Sequence, residues 1–282
     1  MTLKGLGLNV IEGGDWEAFE LWLKGLRAEL GARPSSELLF RGQANSEWPL
    51  KTTLERNGHG NMSFRKFYRL ITSRIGPAVQ TFAGVSVPEY DPAFADTFGD
   101  LELFLPGTGK FPSIPLFQYM VYLRHHGFPS PLLDWSHSPN VAAFFAFRDQ
   151  LGSAEPEKRS IYAYCETPTG VKGGAVGERT IRRMGSYVRS HRRHFLQQSD
   201  YTICASSGVR DGWSFDSHQL VFDQGRPGQD FLWRFDLSSG ERVKILRLLN
   251  DYNLNAFSLF DSEEALLETL WLREQVFRES NR

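Results

Sequence analysis

The chain has 282 residues, 41% hydrophobic and 13% aromatic, with a formal net charge of -1. That suffices for a sizeable core in one large or two small domains, and nothing global argues for a nucleic acid or an anionic membrane as partner. Cys165 and Cys204 form no disulfide framework and no CxxC or Cys/His zinc pattern, so no metal is expected and a reducing, cytoplasmic setting is. Residues 1–11 lack a continuous apolar stretch of the signal-peptide kind, and no run approaches the roughly 18 apolar residues of a membrane span.

Trp16, Phe19, Leu23, Leu26 and Leu30 recur at steps of three and four, which predicts an amphipathic helix capped by Asp15 and ended near Gly31. It makes residues 1–36 an N-terminal helical segment. Leu38-Leu39-Phe40 reads as a short buried strand ending at Arg41-Gly42-Gln43, where the glycine permits a sharp turn. Residues 48–54 are extended around Pro49. Residues 63–83 read as one helix, with Phe64, Phe67, Leu70, Ile71 and Ile75 on one face and Arg65, Lys66, Arg69 and Arg74 mostly on the other. The Pro-, Gly- and Asp-rich stretch 84–112 reads as a loop or insertion. Leu116, Tyr119, Met120 and Leu123 mark a helix that ends at His126-Gly127. Ser138-Pro139 is a strong helix start, and Val141 to Phe147 is apolar nearly all round, hence buried.

Residues 160–165, 200–204, 219–222 and 231–235 read as strands, the last two paired as a hairpin through the turn at 224–228. A short helix over 241–250 and a connector over 254–260 follow. Asp261, with Glu264 three residues on, resembles the capping box of a final helix. Strands and helices do not alternate strictly. The expectation is therefore a single domain over 1–282 with its core at 37–272: an α+β fold with a mixed or antiparallel central sheet flanked by helices.

The candidate functional residues follow from cost and chemistry. Asp134 sits between Leu132-Leu133 and Trp135, so it should be partly buried and must be paired. Arg41 is the best partner, and its guanidinium also suits bidentate contact with a pyrophosphate. His125 and His126 end a helix, where a cation is favoured. They are either cap and core residues or contacts to a ribose or phosphate, with acid–base capacity. Ser138 is an N-cap, and the helix start it caps is also an anion site. Glu263 and Glu264 are stabilised in a first helical turn whatever their role. Six arginines between 179 and 193, among them Arg189, Arg192 and Arg193, have no acid between them. They form either a solvated basic face or a contact to nucleic acid or phosphate.

Phe40-Arg41-Gly42, set beside 125–135, resembles the FRG domain family, which is named for that tripeptide. Trp48, Leu50, Leu54 and Arg56, the helix from Ser138-Pro139 to Ala146, Gln197-Gln198-Ser199, and Leu259-Phe260-Asp261 with the two glutamates resemble further family blocks in order and spacing across 38–272. His125 stands where the family has Gln, Ser130-Pro131 replaces Thr-Arg, and Ser199 replaces Gly. The layout is also similar, more weakly, to NAD-using ADP-ribosyltransferases: a strand ending in Arg41, a serine step at Ser136-His137-Ser138 before a helix, and a late glutamate.

That likeness implies an ADP-ribosyltransferase-like sheet with NAD as substrate. Arg41 with Gly42 would hold the pyrophosphate, and Asp134 would orient Arg41 or a histidine. His125 or His126 would meet a ribose or the nicotinamide amide, Ser138 would sit near phosphate, and Glu264 or Glu263 would stabilise the ribosyl cation. The expected activity is ADP-ribosyl transfer to a protein or nucleic acid, or NAD hydrolysis, as suits a toxin or defence effector. The alternatives are a nucleotide- or nucleic-acid-binding module without turnover, or an interaction domain whose polar residues serve its core.

Overall fold

The computed structural model describes residues 7–31, 37–104, 111–149, 155–174, 177–185, 188, 192–208 and 212–277. Local signals set most of the elements. A first strand, β1 (Leu8–Gly14), precedes α1 (Trp16–Leu30), whose N-cap Asp15 accepts the Ala18 N–H at 2.8 Å and whose C-cap is Gly31 at φ 73°. β2 is Leu39–Gln43, and α2 (Thr53–Arg56) opens on a Thr52/Glu55 capping box. The helix predicted over 63–83 is broken into α3 (Phe64–Arg69), a π turn (Leu70–Arg74) and α4 (Gly76–Ala83). Pro77 has no N–H to continue the ladder.

α5 (Pro92–Asp96) and two 3-10 turns follow, then α6 (Ile114–His125), β3 (Leu133–Ser136) and α7 (Pro139–Phe147). Next come β4 (Lys158–Cys165), β5 (Thr180–Arg183), α8 (Arg192–Leu196), β6 (Ser199–Gly208), β7 (Gly212–Phe215), α9 (His218–Gln224) and β8 (Phe231–Ser238). The chain continues as α10 (Arg242–Asp251), α11 (Ala256–Phe260) and α12 (Glu263–Trp271).

The fold is α+β with an open mixed sheet of eight strands in the order β1-β8-β4-β2-β3-β6-β5, with β7 paired to β6. Only the β1–β8 pair is parallel among the described strands. α1, α7, α10, α11 and α12 build one core over β2, β4 and β8, where Phe19, Phe40, Phe147 and Phe235 are at most 1% exposed. A second, aromatic core joins α3 and α6 to β6 and β7 around Phe64, which stacks on Phe111 at 4.2 Å.

Several expectations change. The N-terminal segment is not helix alone, since β1 forms one edge of the sheet. The stretch 84–112 is more than a surface insertion: Ala95, Phe98, Leu103, Phe104 and Phe111 are buried in the second core, while 105–110 lie outside the described residues. Residues 219–222 are helical, so the predicted hairpin does not exist. β8 pairs instead with β1 and β4. Val221 and Phe222 are both buried against the sheet, a helical face that so short an apolar run does not distinguish from a strand. Residues 256–260 are a helix rather than a connector. Asp261 ends it at φ 49°, and Ser262, accepting from the Ala265 N–H, caps α12 in its place.

Candidate functional site: a cation-lined cleft in the sheet

β2 pairs with β4 from Leu39 to Gln43, but with β3 only at Phe40↔Ser136. Beyond that pair the sheet parts, and a cleft of about 880 Å³ is lined by Arg41, Gly42 and Gln43 on one side and Asp134, Trp135 and Ser136 on the other. Arg41 is therefore inside a strand rather than at its end. Gly42 makes no turn. A Cβ there would overlap the Ala142 carbonyl oxygen, so the bare backbone is what lets α7 lie against β2.

Further wall residues arrive from separate elements: Lys51 and Arg56 around α2, Arg124 and His125 at the end of α6, Phe145 on α7, Arg193 on α8 and Phe260 on α11. Trp48 and Tyr201 complete an aromatic surround.

Asp134 is paired as its setting requires, but mainly with another residue than expected. Arg124 donates to its carboxylate through Nε, at 3.0 and 3.1 Å, and through Nη2. Arg41 is secondary: its Nη1 donates to the Asp134 carbonyl at 2.8 Å and lies 3.9 Å from the carboxylate. Thr53 Oγ1 accepts from Arg124 Nη1 at 3.1 Å and ties the group to α2. Burial alone would raise the Asp134 carboxyl, but the charge and hydrogen bonds of Arg124, with Arg41, hold it below the usual carboxylate range.

Arg41 tells the opposite story. Burial, joined by the charges of Arg124 and Arg56, outweighs Asp134 and pulls its pKa down to about 10. Two carboxylates, Asp134 and Asp149, thus stand among five lining cations, and the cleft favours an incoming anion.

His125 lines the cleft. Its Nε2 lies 3.1 Å from the Tyr201 hydroxyl, which is also 3.3 Å from Nδ1 of the buried His194. His126 is elsewhere: it is exposed, caps α6 and packs on Tyr122 at 4.4 Å between ring centroids. Ser138 does not line the cleft, and its hydroxyl caps α7 by accepting the Val141 N–H. Ser136, two residues earlier, does line it and donates to the Gln197 carbonyl at 2.7 Å.

Glu263 and Glu264 are exposed in the first turn of α12 and are not among the lining residues. Glu264 is held low first by its own backbone amide and by Ser262, with Arg193 adding its charge. Arg193 lines the cleft and donates to the Phe260 carbonyl at 3.2 Å, whereas Arg192 points to Asp261 at 2.9 Å. Arg189 lies outside the described residues.

The structure thus brings together Arg41, Gly42, His125, Asp134 and Arg193, and leaves His126, Ser138, Arg192 and both glutamates out of the cleft. Sequence reasoning missed Lys51, Arg56, Arg124, Asp149 and Tyr201 as cleft residues. Arg124 had one local signal, its place beside His125 in the last turn of α6.

The fold and the site define an α+β protein whose open sheet is parted by an arginine-lined cleft. The family model of the FRG domain matches residues 36–155, so this stretch is similar to that family. The matched stretch holds β2, β3 and α7 together with Arg41, Lys51, Arg56, Arg124 and Asp134, while Arg193, Tyr201 and Phe260 reach the cleft from beyond it. No curated protein and no solved structure matches the chain. Among the described residues, no helix is long and apolar enough to cross a membrane.

Proposed function

We propose that the cleft binds a dinucleotide of the NAD class, and that the protein uses it in ADP-ribosyl transfer to a macromolecule or in NAD hydrolysis. One observation carries the reading: half-buried Arg41 and Arg124, with Lys51, Arg56 and Arg193, surround a cleft of about 880 Å³ whose other walls include Trp48, Phe145 and Phe260. Cations on opposing walls suit a pyrophosphate, and aromatic rings suit a base and a nicotinamide. Such a volume lies in the usual range for small-molecule sites.

In this reading Arg41 holds the pyrophosphate with Lys51 and Arg56, and His125 meets a ribose or the nicotinamide amide. Cleavage of the glycosidic bond releases nicotinamide, and the ribosyl C1 bonds to the acceptor oxygen or nitrogen, which gives up its proton. A carboxylate would stabilise the developing cation. Asp149, exposed and lining the cleft, and Glu264, next to Arg193, are the candidates. A second reading, binding without turnover, is favoured by the position of Glu263 and Glu264 outside the lining.

Titration with NAD followed in a calorimeter, together with assay of released nicotinamide, separates the two. Wild type should bind NAD and release nicotinamide. Lys51→Ala with Arg56→Ala should weaken binding at least about tenfold, as the loss of two charge-assisted contacts implies. Asp149→Asn or Glu264→Gln should stop release and leave binding intact. Binding with no release by wild type selects the second reading, and no binding at all sinks both.

A further inference from the structure

A second basic surface lies on α3 and the π turn that follows it. Arg65, Lys66, Arg69 and Arg74, with Ser63, Leu70 and Tyr90, line a groove of about 380 Å³. The four cations are exposed, while Phe64, Phe67, Tyr68 and Ile71 of the same segment are buried in the aromatic core. The charges therefore stand on a rigid support.

They also have no acid within their own segment. The chain has no Asp or Glu between Glu55 and Glu89. Arg65 meets Asp96 at 3.2 Å, with both side chains more than half exposed, a kind of pair that binds weakly in water. Among the described residues, the side chains of Lys66, Arg69 and Arg74 make no ion pair or hydrogen bond.

The arginines of 179–193 differ. Arg179 pairs with Asp216, Arg183 with Asp200 and Glu37, and Arg192 with Asp261. Three of the six arginines in the basic run most visible in the sequence are thus held by carboxylates, whereas on the quieter α3 face, among the described residues, only Arg65 is.

We infer that the α3 groove binds single-stranded nucleic acid along its phosphate backbone. Guanidinium forks on exposed helical turns match successive phosphates, and the partly exposed Tyr90 ring offers a face on which a base can stack. Leu70 is the one aliphatic residue lining the groove, so it lacks the apolar wedge that seats a protein on a lipid surface. The inference is independent of the NAD reading, because binding is measured without NAD.

The test is fluorescence anisotropy of the full chain with labelled single-stranded DNA and RNA of about 20 nucleotides, at about 50 and 200 mM salt. Three or four phosphate contacts predict an affinity that falls about 20- to 50-fold between those salts. Lys66→Glu, Arg69→Glu and Arg74→Glu combined should reduce binding at low salt more than about tenfold, with an unchanged melting curve. Arg192→Glu should leave binding as it is. The inference is overturned if wild type does not bind at low salt, if the triple variant binds like wild type, or if the triple substitution abolishes binding to phosphatidylserine vesicles while no oligonucleotide binds.

Discussion

Arg179, Arg182, Arg183 and Arg192 are near neighbours in the chain, and in the fold each is held by a different partner. Arg179 meets Asp216 at 3.0 Å, Arg182 donates to the Phe111 carbonyl at 3.1 Å, Arg183 meets Asp200 at 2.7 Å and Arg192 meets Asp261 at 2.9 Å. Arg41, Lys51, Arg56, Arg124 and Arg193 come from five places in the chain and line one cleft. In the first group Arg179, Arg183 and Arg192 each have a carboxylate of their own and Arg182 a carbonyl. In the second, Asp134 is shared by Arg124 and Arg41, and Arg41 is left with its pKa depressed to about 10. Arginines dense along the sequence are here dispersed to separate partners, and the unbalanced positive field arises where several cations meet at one cleft.

The largest test of that contrast lies in acid. His218 is fully buried, and its Nε2 lies 3.0 Å from Thr202 Oγ1. Burial, reinforced by the charge of Arg41, pushes its pKa down to about 3 from an ordinary 6.5. Below about pH 6.5 the unfolded chain takes up a proton that the folded protein refuses. Stability is therefore full above that value and falls by about 1.4 kcal/mol per pH unit as pH drops, roughly 3 kcal/mol by about pH 4. Urea unfolding of wild type and His218→Gln across this range should show the slope reduced in the variant. Parallel slopes would mean that burial and Arg41 together do not hold His218 neutral in the folded protein.

Asp134→Ala comes next. It leaves Arg124 and Arg41 facing each other, and should cost about 2 kcal/mol in denaturant unfolding. The full cost of breaking a buried pair is moderated by the 36% exposure of the Asp134 side chain to the cleft. Because its carboxyl is held low, that contribution is present above the ordinary carboxylate pKa and is lost as pH falls through the depressed value. An added polyphosphate should restore stability to this variant more than to wild type.

His137 probes the locally paired group, since it shares Asp200 and Glu37 with Arg183. The Asp200 hydrogen bond, with Glu37, raises its pKa. Its contribution is complete below the ordinary histidine pKa and disappears as pH rises through the raised value. Thermal melts should show wild type losing stability on the alkaline side relative to His137→Gln, by less than the Asp134 effect. Smallest of all is Arg192→Ala. With its side chain 83% exposed, the pair with Asp261 should be worth under about 0.5 kcal/mol, and unfolding curves of variant and wild type should overlay.

Caps and periodic faces were legible because they are local. Asp15 and Ser138 cap as expected, and the apolar stripes of α1 and α6 are buried. The FRG tripeptide pointed correctly to Arg41 and Asp134 as neighbours. Arg124 escaped because nothing in linear order shows that the end of α6 folds back over β3. β1 escaped because a glycine-broken edge strand has little pattern of its own. Glu263 and Glu264 looked cleft-bound, and the left-handed turn at Asp261 instead starts α12 with both on an exposed face.

The sequence by itself determined the α+β composition, the helix starts at Asp15 and Ser138, the burial of α7 and the need of Asp134 for a cation. Each depends on interactions within a few residues or on the cost of burying a charge. Only the tertiary structure decided which cation answers Asp134, where the sheet parts between β2 and β3, and which arginines are left without enough carboxylates. Those outcomes depend on the packing of α6, α7 and α8 around one strand seam, which brings Arg41 and Arg193 to the cleft from distant parts of the chain.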